Sequence, residues 1–449
     1  METTTFLPPG PKSVFGLEGL AFRRDTLGFL TRLARRYGDI AHFRVGAQRF
    51  FLLNHPDHIR DVLVTNYGDF GRSVFIERAK RLLGEGLLRS VGEHHRRQRR
   101  LIQPAFHRQR IAAHARMIVD GGEKFAALWR HGETREMLPE MRRLSLAVLA
   151  RALFGIDAEG SDGGDNEELM EAVKRLYLFG GRSNWQTALL RKLRLVDPHR
   201  FERACERLDA FTYRLIGERR LSGIDRGDVL STLLMAQDAS GGMSDEEVRD
   251  EVTTLIEAGH VTTASALTWA WYLLARHPEA EAKLHRELDD ALGGRAPTFE
   301  DVARLSYTDM VLLETMRMYP PAWIIGRRVL KDYAVGGYVL PTGSFILMSP
   351  YVMHYDPRYY AEPHRFDPER WTMGARESRP QFSYFPFGGG PHRCIGEGLA
   401  LLEGVLLLAT LASRWRPRLA ARRPPKPVAL VGVMIPSAMP MRLERRVVS

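Results

Sequence analysis

Residues Phe387–Gly396 read F-G-G-G-P-H-R-C-I-G, and Cys394 within them is one of only two cysteines in the chain. Directly behind runs an apolar segment, LALLEGVLLLATLAS, from Leu399 to Ser413. Gly388, Gly389 and Gly390 allow backbone conformations and close approaches that a Cβ would forbid, so this loop can lie against something flat and large. Cys394 falls where the following helix begins. Free N–H groups and the helix dipole there favour a thiolate over a thiol. An arbitrary cysteine beside a glycine turn is more often a small buried hydrophobe. The flanking residues decide otherwise.

A thiolate held at such a point can be an axial ligand to haem iron, where it pushes electron density onto the metal and favours O–O cleavage. Phe387, Gly390, His392, Cys394 and Gly396 fit the pattern F-x-x-G-x-[RH]-x-C-x-G. In this the chain resembles the haem-thiolate monooxygenases, the cytochromes P-450. The resemblance implies a mainly α fold with small β-sheets, and haem b held between a long oxygen-groove helix and the helix after the cysteine loop. It implies one domain over residues 1–449, with Cys394 as the iron ligand. Phe387, His392 and Gly396 would then be cofactor-binding.

Composition agrees with a soluble enzyme. Length alone, 449 residues, would suggest two or three domains, but no linker or internal repeat divides the chain. Two distant cysteines, Cys205 and Cys394, make no disulfide framework, so a reducing cytoplasm is expected. The opening METTTFLPPGPKS has no apolar run, and Leu399–Ser413 is too short to span a bilayer and contains Glu403. No membrane anchor is expected. The net charge of +11 gathers in runs such as HHRRQRR, His94–Arg100. Without a nucleic-acid motif beside it, this basic face suits an acidic electron-transfer partner rather than nucleic acid. Arg96, Arg97 and Arg100 form the expected docking patch.

Along the chain, AHFRVGAQRFFLLN (Ala41–Asn54) reads as a hairpin around Gly46–Gln48, between helical stretches ending RLARRYGD and beginning HPDHIRDVLVT. Next comes GEHHRRQRRLIQPAF, Gly92–Phe106, where His95 and Arg99 share one helix face. Alone they would read as surface residues. By resemblance they bind a haem propionate. The segment LYLFGGRSNWQ, Leu176–Gln186, is either a lid over the substrate channel or an ordinary helix–helix turn.

Ser244 and Glu247 make an S-x-x-E capping box, and a helical pattern runs from there to Arg276, stopping at His277–Pro278. Mid-helix stands AGHVTT, Ala258–Thr263, whose glycine and threonines cost helix stability and can bend it. It is similar to the family's oxygen-binding groove, with Ala258 at the cofactor and Thr262 catalytic. One position departs: Val261 stands where the family has an acid. Glu257, one turn earlier on the same face as Val261, is the candidate proton carrier. Because valine cannot carry a proton, a haem-thiolate peroxygenase or isomerase is the alternative reading. A non-enzymatic haem or ligand-binding protein is a third, opposed by Thr262 and an apolar channel.

Glu314 and Arg317 are an i, i+3 pair, which at a surface would contribute little. By resemblance they are buried with Arg370 of FDPERW, Phe366–Trp371, and hold the cysteine loop. In GRRVLKDYAVGGYVLPTG, Gly326–Gly343, Arg327 matches a propionate-binding arginine, with Arg328 a close competitor. Trp323, Ile324 and Met434 would line an apolar substrate pocket. Arg72 and Arg182 are expected at the surface, though either could meet a substrate carboxylate. The implied reaction is hydroxylation or epoxidation of a fatty acid, terpenoid or steroid with O2. Electrons would come from NAD(P)H through a reductase and a ferredoxin or flavodoxin.

Overall fold

In the computed structural model, which describes residues 7–11, 17–77, 79–155, 199–430 and 432–446, the run Ile40–Leu53 folds back on itself at Gly46. The strands that matter below are β1 (Ile40–Val45), β2 (Gln48–Leu53), β3 (Phe70–Arg72), β4 (Ile325–Val329) and β5 (Phe345–Met348). The helices are α1 (Gly92–Ile102), α2 (Met137–Phe154), α3 (Asp245–Arg276), α4 (Ser306–Met318) and α5 (Glu397–Ala412). The chain separates into two compact units. One comprises Met1–Glu77, Met310–Cys394 and Gly432–Met434; the other comprises Arg78–Asp309, Ile395–Val431 and Ile435–Ser449.

The first unit is built on a five-stranded sheet in the order β1-β2-β5-β4-β3. β1 and β2 pair antiparallel across a two-residue turn, and Gly46 supplies the positive φ of 62° that such a turn requires. β5 then joins β2 in parallel and β4 in antiparallel, and β3 closes the far edge against β4. Phe51, Leu53, Val329, Ile346 and Met348 bury one face of this sheet against Ile59, Val62 and Leu63 and against Phe382 and Phe385. The last two residues lead into the cysteine loop, so the sheet's core is continuous with the base of that loop.

The second unit is helical around α3. Ser244 Oγ accepts from the Glu247 amide while the Glu247 carboxylate accepts from the Ser244 amide, the reciprocal cap expected from S-x-x-E. The 32 residues that follow extend about 48 Å at the α-helical rise. Val248, Val252 and Ile256 of α3 share a core with Leu146, Leu149 and Leu153 of α2 and with Leu208 and Phe211 of the helix Arg200–Ser222. Gly259 has a packing reason: a Cβ there would stand 2.9 Å from Leu149 Cδ2, so glycine lets α2 and α3 close together. α5 is buried from Leu402 to Ala412, as a helix apolar on nearly every side must be. Among the described residues, no helix is long and apolar enough to cross a membrane. Segment Leu176–Gln186, with Arg182, lies outside the described residues.

Candidate active site

The loop bearing Cys394 is closed by its own backbone. The Gly388 amide donates to Phe385 O, the Arg393 amide to Gly390 O and the Cys394 amide to Phe387 O, at 2.9–3.0 Å. Gly388 and Gly390 take φ values of 73° and 64°. A Cβ on Gly389 would meet the Phe382 ring at 2.3 Å, and one on Gly390 would meet the Leu63 carbonyl oxygen at 1.9 Å. The glycines are thus used to press the loop onto the protein's own framework. That leaves the Cys394 side chain exposed, whereas Cys205 is buried and its thiol is pushed up to about 12 by burial. Phe387 and His392 are half-buried, and the His392 ring meets Tyr67 edge-on at 6.4 Å. Gly396 is the N-cap of α5, with its carbonyl accepting from Ala400.

Beneath this loop lies a buried charge cluster. Arg317 grips Glu314 with two hydrogen bonds of 2.8 and 2.9 Å, both side chains fully buried. Arg370 Nε stands 3.4 Å from the same carboxylate, which also accepts from the Asp367 amide and Trp371 Nε1. The remaining Arg317 N–H groups donate to the carbonyls of His354, Pro363 and Arg365. His354 continues the chain of contacts. Its Nδ1 lies 3.2 Å from the Arg317 carbonyl and its Nε2 accepts from the Phe385 amide at the foot of the cysteine loop. Facing a carbonyl, Nδ1 must carry the proton. Burial, then the Arg317 charge, holds the imidazole neutral, with its pKa down at about 3.

Arg327 and Arg328 are separated by the alternation of β4. Arg327 is buried and Arg328 is exposed, 3.8 Å from Glu77. Arg327 donates to the Gly326 carbonyl, and burial lowers its pKa to about 10. Directly across the strand pair stands Arg72. Arg72 is expected at the surface; β3 leaves it half-buried beside Arg327, and burial followed by the Arg327 charge lowers its pKa to about 9. Trp323 and Met434 are both buried, Ile324 is half-buried, and the Met434 amide donates to Pro321 O, joining the two apolar segments.

In the helical unit, His95 is buried on α1 and Arg99, one turn later, is half-buried. Arg97 is drawn inward to Glu247 and Asp238, at 2.8 and 3.2 Å. Of the expected docking patch it is the half-buried member; Arg100, which pairs with the same Asp238 at 2.9 Å, and Arg96, which pairs with Glu93, are exposed. On α3, Ala258 is exposed and Thr262 half-buried in the middle of an otherwise covered helix. Thr262 Oγ1 donates to Ala258 O at 2.7 Å and Thr263 Oγ1 to Gly259 O at 3.2 Å, the back-bonding expected of hydroxyls inside a helix. Val261 is 1% exposed, so its position offers no proton, and Glu257 is half-buried. His260 Nδ1 lies 2.7 Å from Ile256 O, and burial lowers this imidazole to about 4.

The sequence reading missed His354, Trp371 and the place of Arg72 across from Arg327. Trp371 was legible, being the last letter of FDPERW. The other two had no local signal, since their partners lie on other strands and loops.

Residues 8–440 match the cytochrome P450 family model. The chain is 42% identical to cyclooctatin synthase of Streptomyces melanosporofaciens, over 91% of this chain and 89% of that one. It is 39% identical to cyclooctat-9-en-7-ol 5-monooxygenase of the same organism, over 92% and 90%. With pentalenene oxygenase of Streptomyces avermitilis it shares 34%, over 98% and 97%. The crystal structure of a cytochrome P450DA heme domain superposes with a TM-score of 0.87 at 22% identity, covering 99% of this chain and 98% of that one, which speaks for the fold. The chain is a member of the cytochrome P450 family, an oxidoreductase with that family's fold.

Proposed function

We propose that this chain is a haem-thiolate monooxygenase that hydroxylates or epoxidises a terpenoid. The carrying observation is the relatedness over about nine-tenths of the chain to enzymes named for cyclooctatin, cyclooctat-9-en-7-ol and pentalenene. Of the three substrate classes that an apolar pocket admits, terpenoids are the one these names favour over fatty acids and steroids. The chain would act as one domain in a reducing cytoplasm, served by a ferredoxin or flavodoxin and its NAD(P)H reductase.

Haem b suits the residues present. An exposed thiol on a rigid loop is a ligand in waiting. Arg327, buried and donating to a neighbouring carbonyl, has the chemistry of a propionate binder. His95, Arg99 and His392 would share the propionates, with Ala258, Phe387 and Gly396 against the ring. When bound, the haem would supply reductive activation of O2 and insertion of one oxygen atom into C–H or C=C.

Thr262 spends its own proton on Ala258 O, so its oxygen faces outward with lone pairs ready to accept a hydrogen bond. Glu257 is the proton source we assign in place of Val261. Glu257→Gln should lower product formed per O2 consumed several-fold. An unchanged ratio would remove Glu257 from the relay. Trp323, Ile324 and Met434 would shape the apolar pocket.

Titration of the ferric protein with cyclic terpene alcohols and, separately, with long-chain fatty acids tests the substrate class. A low-to-high-spin shift with the terpenoids is expected; a shift with fatty acids alone overturns the assignment. The buried Val261 favours one second reading, a peroxygenase or isomerase, which would be supported if peroxide-driven turnover exceeded partner-driven turnover.

A further inference from the structure

Between the short helix Lys80–Leu83 and α1, the chain crosses α3 on the residues Gly84–Ser90. Two backbone amides of this crossing are held by adjacent acids of α3. The Glu85 amide donates to Asp250 Oδ2 at 2.7 Å, and the Leu87 amide to Glu251 Oε2 at 3.0 Å. The approach is as close as chain can make. Gly84 has φ 50° and a Cβ on it would sit 2.0 Å from the Asp250 carboxylate; one on Gly86 would sit 2.4 Å from Thr254 Oγ1.

The two acids are not equivalent. Asp250 also pairs with Arg249 at 2.7 Å, Arg249 with Asp209, and Arg81 with Asp209 and Glu202. Asp250 is therefore a strut in a network that joins three helices. Glu251 stands outside it. It is 1% exposed, makes its hydrogen bond to the Leu87 amide, and has no hydrogen-bond partner on Oε1 among the described residues. A buried carboxyl kept for one amide has positioning as its use, since an apolar residue would fill the space at lower cost.

Its place on the helix says what it positions. Residues seven and eleven positions onward fall within about 20° of the same helical face, and these are Ala258 and Thr262. The loop is thus fastened to the face that carries Ala258 and Thr262, the expected groove residues, roughly 10 Å before them at the helical rise. Leu87 is locked into the core with Val248, Val252 and Ile256, and Leu88, half-buried, comes next in the chain.

We propose that Glu251 is a positioning residue for substrate selection: its bond to the Leu87 amide fixes where the Gly84–Ser90 crossing lies at the amino-terminal end of the expected Ala258–Thr262 groove. The inference rests on the monooxygenase reading, in which substrate meets oxygen at that groove.

The test uses two iron-binding probes on the full-length ferric holoprotein, imidazole and the bulkier 4-phenylimidazole. Glu251→Met, similar in length but without an acceptor, should change 4-phenylimidazole affinity at least fivefold and imidazole affinity less than twofold. Glu251→Gln keeps an acceptor oxygen and should restore the wild-type ratio. Hydrogen exchange of the peptide spanning residues 84–90 should quicken in the Met variant and not in the Gln variant. Equal changes for both probes, no change for either, or failure of Gln to restore the ratio would overturn the proposal. If the Met variant retains no haem, Gly86→Ala attacks the same contact from the loop side and should give the same divergence between probes; equal behaviour of the probes there overturns it. Absence of the long-wavelength reduced-CO Soret band in the wild type would instead overturn the haem-thiolate reading itself.

Discussion

Arg327 and Arg328 carry the same side chain on adjacent residues, yet one is buried with its pKa lowered to about 10 and the other reaches solvent beside Glu77. The strand period of two is the whole cause. A buried guanidinium has the chemistry to receive an anionic group. Arg327→Ala should therefore lower haem retention on purification several-fold, read as the ratio of Soret to protein absorbance, whereas Arg328→Ala should leave it unchanged. Equal ratios in the two variants would separate Arg327 from the propionates. The sequence left these two residues undecided because a strand's phase is set by its partners. β4 gets its phase from pairing with β5 and β3. Thr262 and Thr263 were legible from the sequence, since their hydroxyls bond carbonyls four residues back within one helix.

Among the elements, the meander that supports the cysteine loop depends on one carboxylate. Glu314 accepts from Arg317, the Asp367 amide and Trp371, and is reached by Arg370. Arg317→Ala would leave Glu314 buried beside three remaining donors and strip three carbonyls of their partner. The loss should be about 3–5 kcal/mol, the range for breaking a buried pair. Thermal unfolding should show it, together with loss of the reduced-CO band. Arg317→Lys should rescue little, because an ammonium cannot reproduce two parallel bonds to the carboxylate while still reaching those carbonyls. A variant with wild-type stability and spectrum would show that the cluster does not hold the loop. The i, i+3 spacing made Glu314 and Arg317 readable as a pair. Their burial is expected by resemblance alone, since the spacing does not show it: it comes from segments some forty to sixty positions later, and His354 bonds the Phe385 amide 31 residues away.

At the scale of the whole molecule, buried titratable groups shape the pH dependence of stability, among them two imidazoles and two carboxyls with large opposite shifts. His354 and His260 have folded pKa values of about 3 and about 4 against 6.5. Their contribution is present above 6.5 and is lost as pH falls. Glu251 and Glu403, each raised to about 8 from 4.5, first by burial, act in the other direction. Their contribution is full below 4.5 and is lost as pH rises through 8. Stability should fall from pH 6.5 to pH 8.5, because over that interval these carboxyls lose more than the last imidazole protons of the unfolded chain restore. Glu403→Gln should flatten that fall, shrinking the difference in thermal midpoint between those pH values by a few degrees at about 1.4 kcal/mol per pKa unit. An unaltered slope would mean that Glu403 is ionised throughout. The sequence by itself determined the cysteine loop, the capped 32-residue helix and its back-bonded threonines, the hairpin and the charge-pair spacing, because each is written within a few residues by turn chemistry, helical period or strand alternation. Only the tertiary structure decided that Arg72 stands opposite Arg327, that Arg97 turns inward, that Gly259 serves helix packing and that Glu251 fastens the loop. Those outcomes depend on which distant segment arrives opposite, and burial then fixes the charge, proton and contacts that each side chain can keep.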